Sequence, residues 1–428
     1  MKRIFLSALV LTSLLTGCIK QDDTPIVLET GNTINNYYDG TGGSTGGTTT
    51  TDNVIDVTGA ITENTTWTKD NIYKLNQKVV VSDGVTLTIQ EGTIIKGAPG
   101  TGSLASALIV ARGGIINAVG TPDEPIIFTS SQDNIGVGEI EGTNLDENDR
   151  GLWGGLIVLG KAHISVSGDN VEAQIEGIPA DDTFGLYGGT DDLDNSGVIQ
   201  YVSIRHGGAL IGEGNEINGL TLGGVGSGTV IDHVEVVANV DDGIEYFGGT
   251  VSPTNVLIWA QGDDALDIDQ AYAGTIDNAV VVQGQESDHC FEVDGPEGSY
   301  NGSFTVQNVT LIGIGDASTA GGEYADFRDG ARGTIGNIYA YGFKDASDIE
   351  LDDDLSATNY NDGILNFGTW EFVLPAGVAD AASLFNNTTG VTVTGFGSQG
   401  SAVTMGSQTV GADTSEFGWT YTAGHINL

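Results

Sequence analysis

Four carboxylates stand within eight residues in the segment GDDALDID, residues 262–269. In LDID, the two-residue alternation of a β-strand would bury the Leu and the Ile and turn Asp267 and Asp269 outwards. Carboxylates at such spacing bind Ca²⁺, share protons, or act as the general acid and base of a hydrolase. The sequence therefore offers an acidic site whose chemistry depends on its neighbours.

Segments of the same pattern recur at IEYF, FEVD, ADFR and IELD, and they predict two columns of outward side chains. The first column is Glu245, Asp267, Glu292, Asp326 and Glu350, and the second is Phe247, Asp269, Asp294, Arg328 and Asp352. Stacked strands lie about 4.8 Å apart, so carboxylates in a column repel one another by roughly 3 kcal/mol at an effective dielectric of about 20. We expect relief from Ca²⁺ bound by the carboxylates of both columns, from protonation, or from Arg328; a solvated acidic face screened by salt is the alternative.

Polar loops before these strands could support catalysis. VDDG, GDD, SDH and DFRDG follow one another on consecutive repeats, and they resemble the four motifs of inverting polygalacturonase-type hydrolases. That resemblance implies glycan cleavage, with Asp242, Asp263 and Asp264 as acid and base. It also implies His289 and Arg328 beside the substrate.

Departures from the hydrolase motifs weigh against catalysis. Asp241 replaces a threonine, Asp288 and Cys290 replace the glycines that flank the histidine, and Gly330 replaces a lysine. A site for uronate sugars needs cations near the substrate carboxylate, and this face has almost none. Lyase chemistry, which pairs Ca²⁺-binding acids with a basic residue, is disfavoured for the same reason. The residues favour a binding protein over an enzyme and leave the choice open.

Other residues are candidates for ligand binding. Trp153 follows the acidic loop NLDENDR, and Phe247 belongs to the second column, so both rings are expected at the surface, where they could stack on a sugar. Arg205 and His206 adjoin a glycine turn. Trp153 could instead pack beneath its loop, and a histidine at a coil corner is commonly structural.

Short strands must position these residues. A second motif, in which Asn precedes alternating apolar residues, recurs in step with the first at Asn255, Asn278, Asn308 and Asn337, with His233 in the same frame. Two strand motifs that recur together every 22 to 25 residues or so predict an all-β chain folded as a single right-handed parallel β-helix. The aligned Asn side chains are expected to form an internal amide ladder.

The N-terminal residues predict export and a lipid anchor. MKRIFLSALVLTSLLTGC has a basic start, a short apolar run and small residues before a cysteine. Residues 15–18 resemble the bacterial lipobox, which implies a signal peptide over 1–17 and acylation of Cys18. Residues 18–52 have the composition of a flexible stalk. We predict the β-helix over 53–364, then terminal coils and a cap over 365–428.

Composition limits the partners. With 58 Asp+Glu against 14 Lys+Arg, the formal net charge is −44, which repels nucleic acid and anionic lipid. No stretch after the signal reaches 18 consecutive apolar residues, so we expect no membrane span and no channel or pump. With Cys18 acylated, Cys290 would have no disulfide partner.

Longer segments resemble a known group. ALIVARGG, RGLWGGLIVLG, residues 201–229 and the terminal FGWTY are similar to β-helix surface lipoproteins of the Bacteroidota, and KQDD after Cys18 resembles their surface-export tag. We predict a lipid-anchored outer-membrane protein that faces the cell exterior and binds an extracellular ligand, a glycan, with Ca²⁺ support and for an outer-membrane uptake receptor. An inverting glycoside hydrolase and a structural or interaction protein with a solvated acidic face are the alternatives.

Overall fold

The computed structural model describes residues 35–36, 53–178, 182–210, 217–315 and 322–428. The predicted signal peptide, the predicted lipidation site Cys18 and nearly all of the predicted stalk lie outside these residues. Within these ranges, no helix has both the length and the apolar character needed to cross a membrane.

The chain winds into parallel coils, and each coil contributes strands to three long sheets. Some strands bend at a corner of the coil, so that their first part pairs in sheet 1 and their second part pairs in sheet 2. Six do so: Gly197–Arg205, Val230–Val237, Thr254–Trp259, Thr275–Val282, Phe304–Ile312 and Gly333–Tyr341. Every pairing within the three sheets is parallel, which confirms the predicted all-β parallel β-helix.

The remaining strands fall into the same three sheets. Sheet 1 also contains Thr65–Trp67, Thr86–Ile89, Ile115–Val119 and Leu365–Phe367. Sheet 2 also contains Ile94–Gly97, Ile126–Ser130, Trp370–Phe372 and Gly400–Ala402. Asn53–Ile61 and Asn71–Val81 start in sheet 2 and end in sheet 3.

Sheet 3 carries the acidic segments. After Asn71–Val81 it contains Ala107–Val110, Leu156–Leu159, Leu220–Gly223, Ile244–Phe247, Leu266–Asp269, His289–Asp294, Glu323–Arg328, Ile349–Leu351 and Phe385–Asn387. Leu266 and Ile268 point into the continuous apolar core between the sheets, as the alternation in LDID predicted.

A few elements lie outside the three sheets. They are a strand at Asn35–Asn36 antiparallel to Asn53–Ile61, a hairpin of Ala173–Gln174 and Leu186–Tyr187, α-helices at Asp354–Asn361 and Tyr421–His425, and 3-10 turns at Gly102–Leu104, Thr183–Gly185, Ala381–Leu384 and Thr414–Phe417. Asp353 caps the first α-helix by accepting hydrogen bonds from the backbone N–H groups of Leu355 and Ser356.

The corner between sheets 1 and 2 is made by the Asn motif. The backbone is left-handed at Asn255, Asn278, Asn308 and Asn337, with φ between 54° and 60°, a conformation that Asn tolerates better than most residues. Asn278 donates to the side chain of Asn255 over 2.6 Å, and Asn337 donates to Asn308 over 3.1 Å.

The expectation that this ladder is internal is wrong. The four Asn side chains are half-buried or exposed, because a residue that turns the corner in the left-handed conformation points away from the core. A different set of amides is buried: Gln261 donates to Gln283 over 3.1 Å, and Asn239 lies one coil earlier. The same repeat separates these three residues in the sequence, and that spacing was the signal that could have identified them.

The chain returns along the outside of the helix after its last coil. Residues 403–428, which we call the C-terminal strap, run back across sheet 2. Tyr339 donates to the sulfur of Met405 over 3.1 Å, and Asn278 accepts from the backbone N–H of Asp413 over 2.7 Å. The strap ends in the helix Tyr421–His425, which packs beside Arg205 several coils upstream.

Candidate functional site

The outward carboxylates of sheet 3 form the predicted first column. Neighbouring strands pair Glu245 with Asp267, Asp267 with Glu292, Glu292 with Asp326, and Asp326 with Glu350. We call these five residues the acidic strip. In the second column, Phe247 pairs with Asp269 and Asp294 pairs with Arg328. The two-residue alternation and the coil repeat were therefore sufficient to predict which side chains share a face.

The strip is less exposed than its charge suggested. Burial is greatest at Glu245 and Asp326 of the strip, whereas Asp352, at the end of the second column, is exposed. The segment between Leu156–Leu159 and Gly197–Arg205, which we call the insertion, covers the end of the strip at Glu245. The alternative of a solvated acidic face therefore does not describe that end of the strip.

Phe247 and Trp153 do not lie at the surface: the expected exposure of Phe247 is wrong, and of the two placements open to Trp153 the structure has the buried one. Phe247 is 8% exposed and packs against Tyr187 of the insertion, with ring centroids 5.9 Å apart. Trp153 is 0% exposed and donates from Nε1 to the backbone oxygen of Arg205 over 2.7 Å. Gly97 makes room for this ring, because a Cβ there would come within 2.5 Å of the Trp153 Cβ.

Arg205 and His206 are also buried, so the structure does not present them to a ligand as expected. Arg205 donates to Ser203 Oγ over 2.8 Å and lies 4.6 Å from the centre of the Tyr421 ring. The Nδ1 atom of His206 lies 2.6 Å from the backbone oxygen of Asp149. Burial lowers the pKa of His206. One structural cluster thus joins three of the segments that resemble β-helix surface lipoproteins, through Trp153, through Arg205 and His206, and through Tyr421.

The acids predicted for catalysis act as caps between coils. Asp242 accepts a hydrogen bond from the backbone N–H of Asp264 over 3.0 Å, and Asp264 accepts one from the backbone N–H of His289 over 2.7 Å. Asp242 and Asp264 are buried, whereas Asp263 is exposed. Carboxylate oxygens of Asp241, Asp242 and Asp263 lie within 4.8 Å of one another, closer than the roughly 6.5–9.5 Å between carboxyl groups of inverting hydrolases.

The cations of the site are paired with its own acids. Arg328 contacts Glu292, and its Nε donates to Asp294 over 2.8 Å. The Nδ1 atom of His289 lies 2.9 Å from Asp264. Burial lowers the pKa of His289, but the hydrogen bond and the charge of Asp264 outweigh it and raise that pKa to about 9. A bound anion would therefore have to compete with these carboxylates for either cation.

Groups of metal-ligand type occur at the covered end and in the loops before the strip. Glu245 and Asp267 approach each other together with Asp242, and Asp264 lies with Asp288 and His289. The other predicted Ca²⁺ ligands form no group of three as tight as these within the described part of the chain. They are Asp269, Glu292, Asp294, Asp326, Glu350 and Asp352.

Burial and mutual repulsion hold many of these acids near protonation. Burial raises the pKa of Asp269 to about 7, that of Asp294 to about 8 and that of Asp326 to about 6, and neighbouring carboxylates add to each rise. Burial also raises the pKa values of Glu245 and Asp267 well above their usual range. Protons or a cation must relieve this repulsion.

The thermal midpoint of the cation-free protein is expected to fall as the pH rises from about 5 to about 9. Acids whose pKa is raised by folding bind more protons when folded, so the stability they contribute at low pH is lost as the pH rises through the folded-state value. His289 contributes with the same sign. We expect a fall of more than about 5 °C, measured by circular dichroism in chelator.

Two variants distinguish the titration of these buried acids from the general charge repulsion within an acidic protein. In Asp294→Asn the fall between pH 6 and 9 should be smaller, whereas in Asp123→Asn, an exposed acid elsewhere, it should be unchanged. A midpoint that stays level or rises over this range would contradict the burial of these carboxylates.

Comparison with known proteins agrees with this architecture. The family model described as a pectate-lyase-like β-helix domain matches residues 59–422. No curated protein matches the sequence. A pectin methylesterase from Aspergillus niger is similar in structure at 11% identity and a TM-score of 0.30, over 78% of this chain and 86% of the other.

A second similar structure is the catalytic unit of a thermostable GH87 α-1,3-glucanase from Streptomyces thermodiastaticus. It is 12% identical with a TM-score of 0.26, over 80% of this chain and 61% of the other. At these values neither likeness bears on activity. The family match extends from the end of the strand Asn53–Ile61 to the C-terminal strap, and the chain belongs to the family of pectate-lyase-like β-helix domains.

Proposed function

We propose that the protein is a cell-surface lipoprotein that captures an extracellular glycan on the acidic strip and serves an outer-membrane uptake receptor. The observation that carries this proposal is the strip itself, in which carboxylates are aligned from coil to coil on a rigid sheet. The strip is closed by the insertion at Glu245 and open towards Glu350 and Asp352. A rigid site loses little conformational entropy when it binds a ligand.

Ca²⁺ is proposed to support this binding at the open part of the strip. Arg328 and His289 are already paired with carboxylates, so a neutral or acidic glycan would meet an almost uniformly negative surface. Ca²⁺ coordinates carboxylate and hydroxyl oxygens alike, and it would both lower the repulsion and connect the ligand to the protein. Acylated Cys18 and the stalk, outside the described residues, would hold the strip away from the membrane.

Retention of a glycan on the immobilised protein tests the proposal. We expect one member of a panel of neutral and acidic polysaccharides to be retained with Ca²⁺ and released by chelator. The double variant Glu350→Gln, Asp352→Asn should weaken retention at least about tenfold, a loss of roughly 1.4 kcal/mol. The control Glu63→Gln changes an exposed acid far from the strip and should bind like the natural protein.

Two results would contradict ligand capture. One is the absence of retention for every polysaccharide with or without Ca²⁺. The other is the release of new reducing ends that disappears in Asp264→Asn, which would make the protein a hydrolase. Since Asp242 and Asp264 cap buried turns, no observation favours cleavage as a second function.

A further inference from the structure

The insertion is fixed to the outer face of sheet 3 at the first residues of the strip. Its side chains Ile164, Ile175 and Tyr187 pack on Leu159 and Phe247. Tyr187 also donates to the side chain of Gln270 over 2.9 Å. At the edge of this apolar contact, polar groups of the insertion lie against polar groups of the β-helix.

Oxygen atoms converge at that boundary. Carboxylate oxygens of Asp242, Glu245 and Asp267 all lie within 4.8 Å of one another. Asn218 is 0% exposed and donates from Nδ2 to Glu245 and, over 3.3 Å, to Glu176 of the insertion. The backbone N–H of Gly219 donates to the backbone oxygen of Asp242 over 3.0 Å, which holds Asn218 against the group.

Two acceptors in this group are left without donors. Asn218 Oδ1 and Asp267 Oδ1 are buried and have no hydrogen-bond partner, a state that buried polar atoms in folded proteins rarely adopt. Among the described residues, no Lys, Arg or His forms an ion pair with Asp242, Glu245 or Asp267. The boundary thus contains oxygen acceptors in excess of donors and positive charge.

This surplus matches the requirements of a hard divalent cation. Ca²⁺ takes six to eight oxygen ligands from carboxylates, Asn side-chain carbonyls and water, and Asn218 and Asp267 each have an oxygen to spare. We propose that a divalent cation of the Ca²⁺ type binds Asn218, Asp242, Glu245 and Asp267, and that it holds the insertion on the helix through the contact between Asn218 and Glu176. This ion is distinct from Ca²⁺ on the open strip and requires no glycan.

Calorimetric titration of the full chain with CaCl₂ after chelator treatment, without any glycan, tests the site. We expect a saturable site whose affinity falls at least about tenfold in Asn218→Ala and in Asp267→Asn. Asp123→Asn, at an exposed acid away from the strip, should leave it unchanged. Circular dichroism of each variant shows whether it folds.

Hydrogen exchange supplies a readout specific to the insertion. Ca²⁺ should slow amide exchange in residues 164–178 and 182–187 of the natural protein and have no such effect in Asp267→Asn. Equal Ca²⁺ affinity in the natural protein and both site variants would overturn the proposal, as would the absence of saturable binding. Failure of glycan retention alone leaves this titration unaffected, so the two proposals fail separately.

Discussion

Replacing Trp153 by alanine is expected to lower the free energy of unfolding by about 3–5 kcal/mol, the usual cost of removing a fully buried aromatic side chain. The ring is enclosed next to Phe128, with ring centroids 6.4 Å apart, and its N–H donates a hydrogen bond to the backbone oxygen of Arg205. Its removal leaves both a cavity and a buried carbonyl without its donor.

Urea unfolding followed by far-ultraviolet circular dichroism measures this loss. Leu193→Ala is the matched control, since Leu193 is 77% exposed and its truncation should change stability by less than about 0.5 kcal/mol. If Trp153→Ala retained full stability but lost glycan retention, the ring would be a ligand contact, and its buried position here would be contradicted.

Replacing Glu235 by alanine is expected to release the C-terminal strap and to cost about 3–5 kcal/mol. The buried carboxylate accepts from the backbone N–H of Thr422 over 2.8 Å, from its hydroxyl over 2.7 Å and from Ser203 over 2.6 Å. Ser203 links it to Arg205. Burial lowers the pKa of Arg205, and among the neighbouring charges Glu235 opposes that shift most strongly, so removing Glu235 takes away the main carboxylate that balances this buried guanidinium.

Limited proteolysis and hydrogen exchange identify the released segment. In Glu235→Ala, cleavage and exchange should rise in residues 403–428 before the coils are affected. Glu416→Gln is the control, because the exposed side chain of this strap residue contacts His233 of the strand Val230–Val237 and its loss should cost less than about 1 kcal/mol. A strap that remains protected in Glu235→Ala would show that Phe417 and the other apolar contacts hold it without the carboxylate.

The register of the acidic strip could be predicted because it depends on local periodicity. A two-residue alternation determines which side chains share a face, and the coil repeat determines which of them become neighbours. Both patterns are visible in IEYF, LDID and FEVD, and the structure pairs their acids as expected.

The surroundings of those residues could not be predicted in the same way. Phe247 follows the alternation and points outwards, yet the insertion covers it. His289 and Asp264 resemble catalytic residues in their order along the chain, yet they bridge successive coils through backbone hydrogen bonds. In both cases the deciding contact comes from a different part of the chain, and no repeat in the sequence specifies it.

The sequence by itself determined the all-β coil architecture, the two outward columns and the acidic character of one face. These features follow from the two-residue alternation within strands and from a repeat that places equivalent residues of successive coils side by side. Only the tertiary structure decided which acids are desolvated, where the insertion and the strap cover the coils, and that Trp153 and Arg205 belong to the interior. Those properties arise from long-range packing, in which burial depends on what covers a residue as much as on the residue itself.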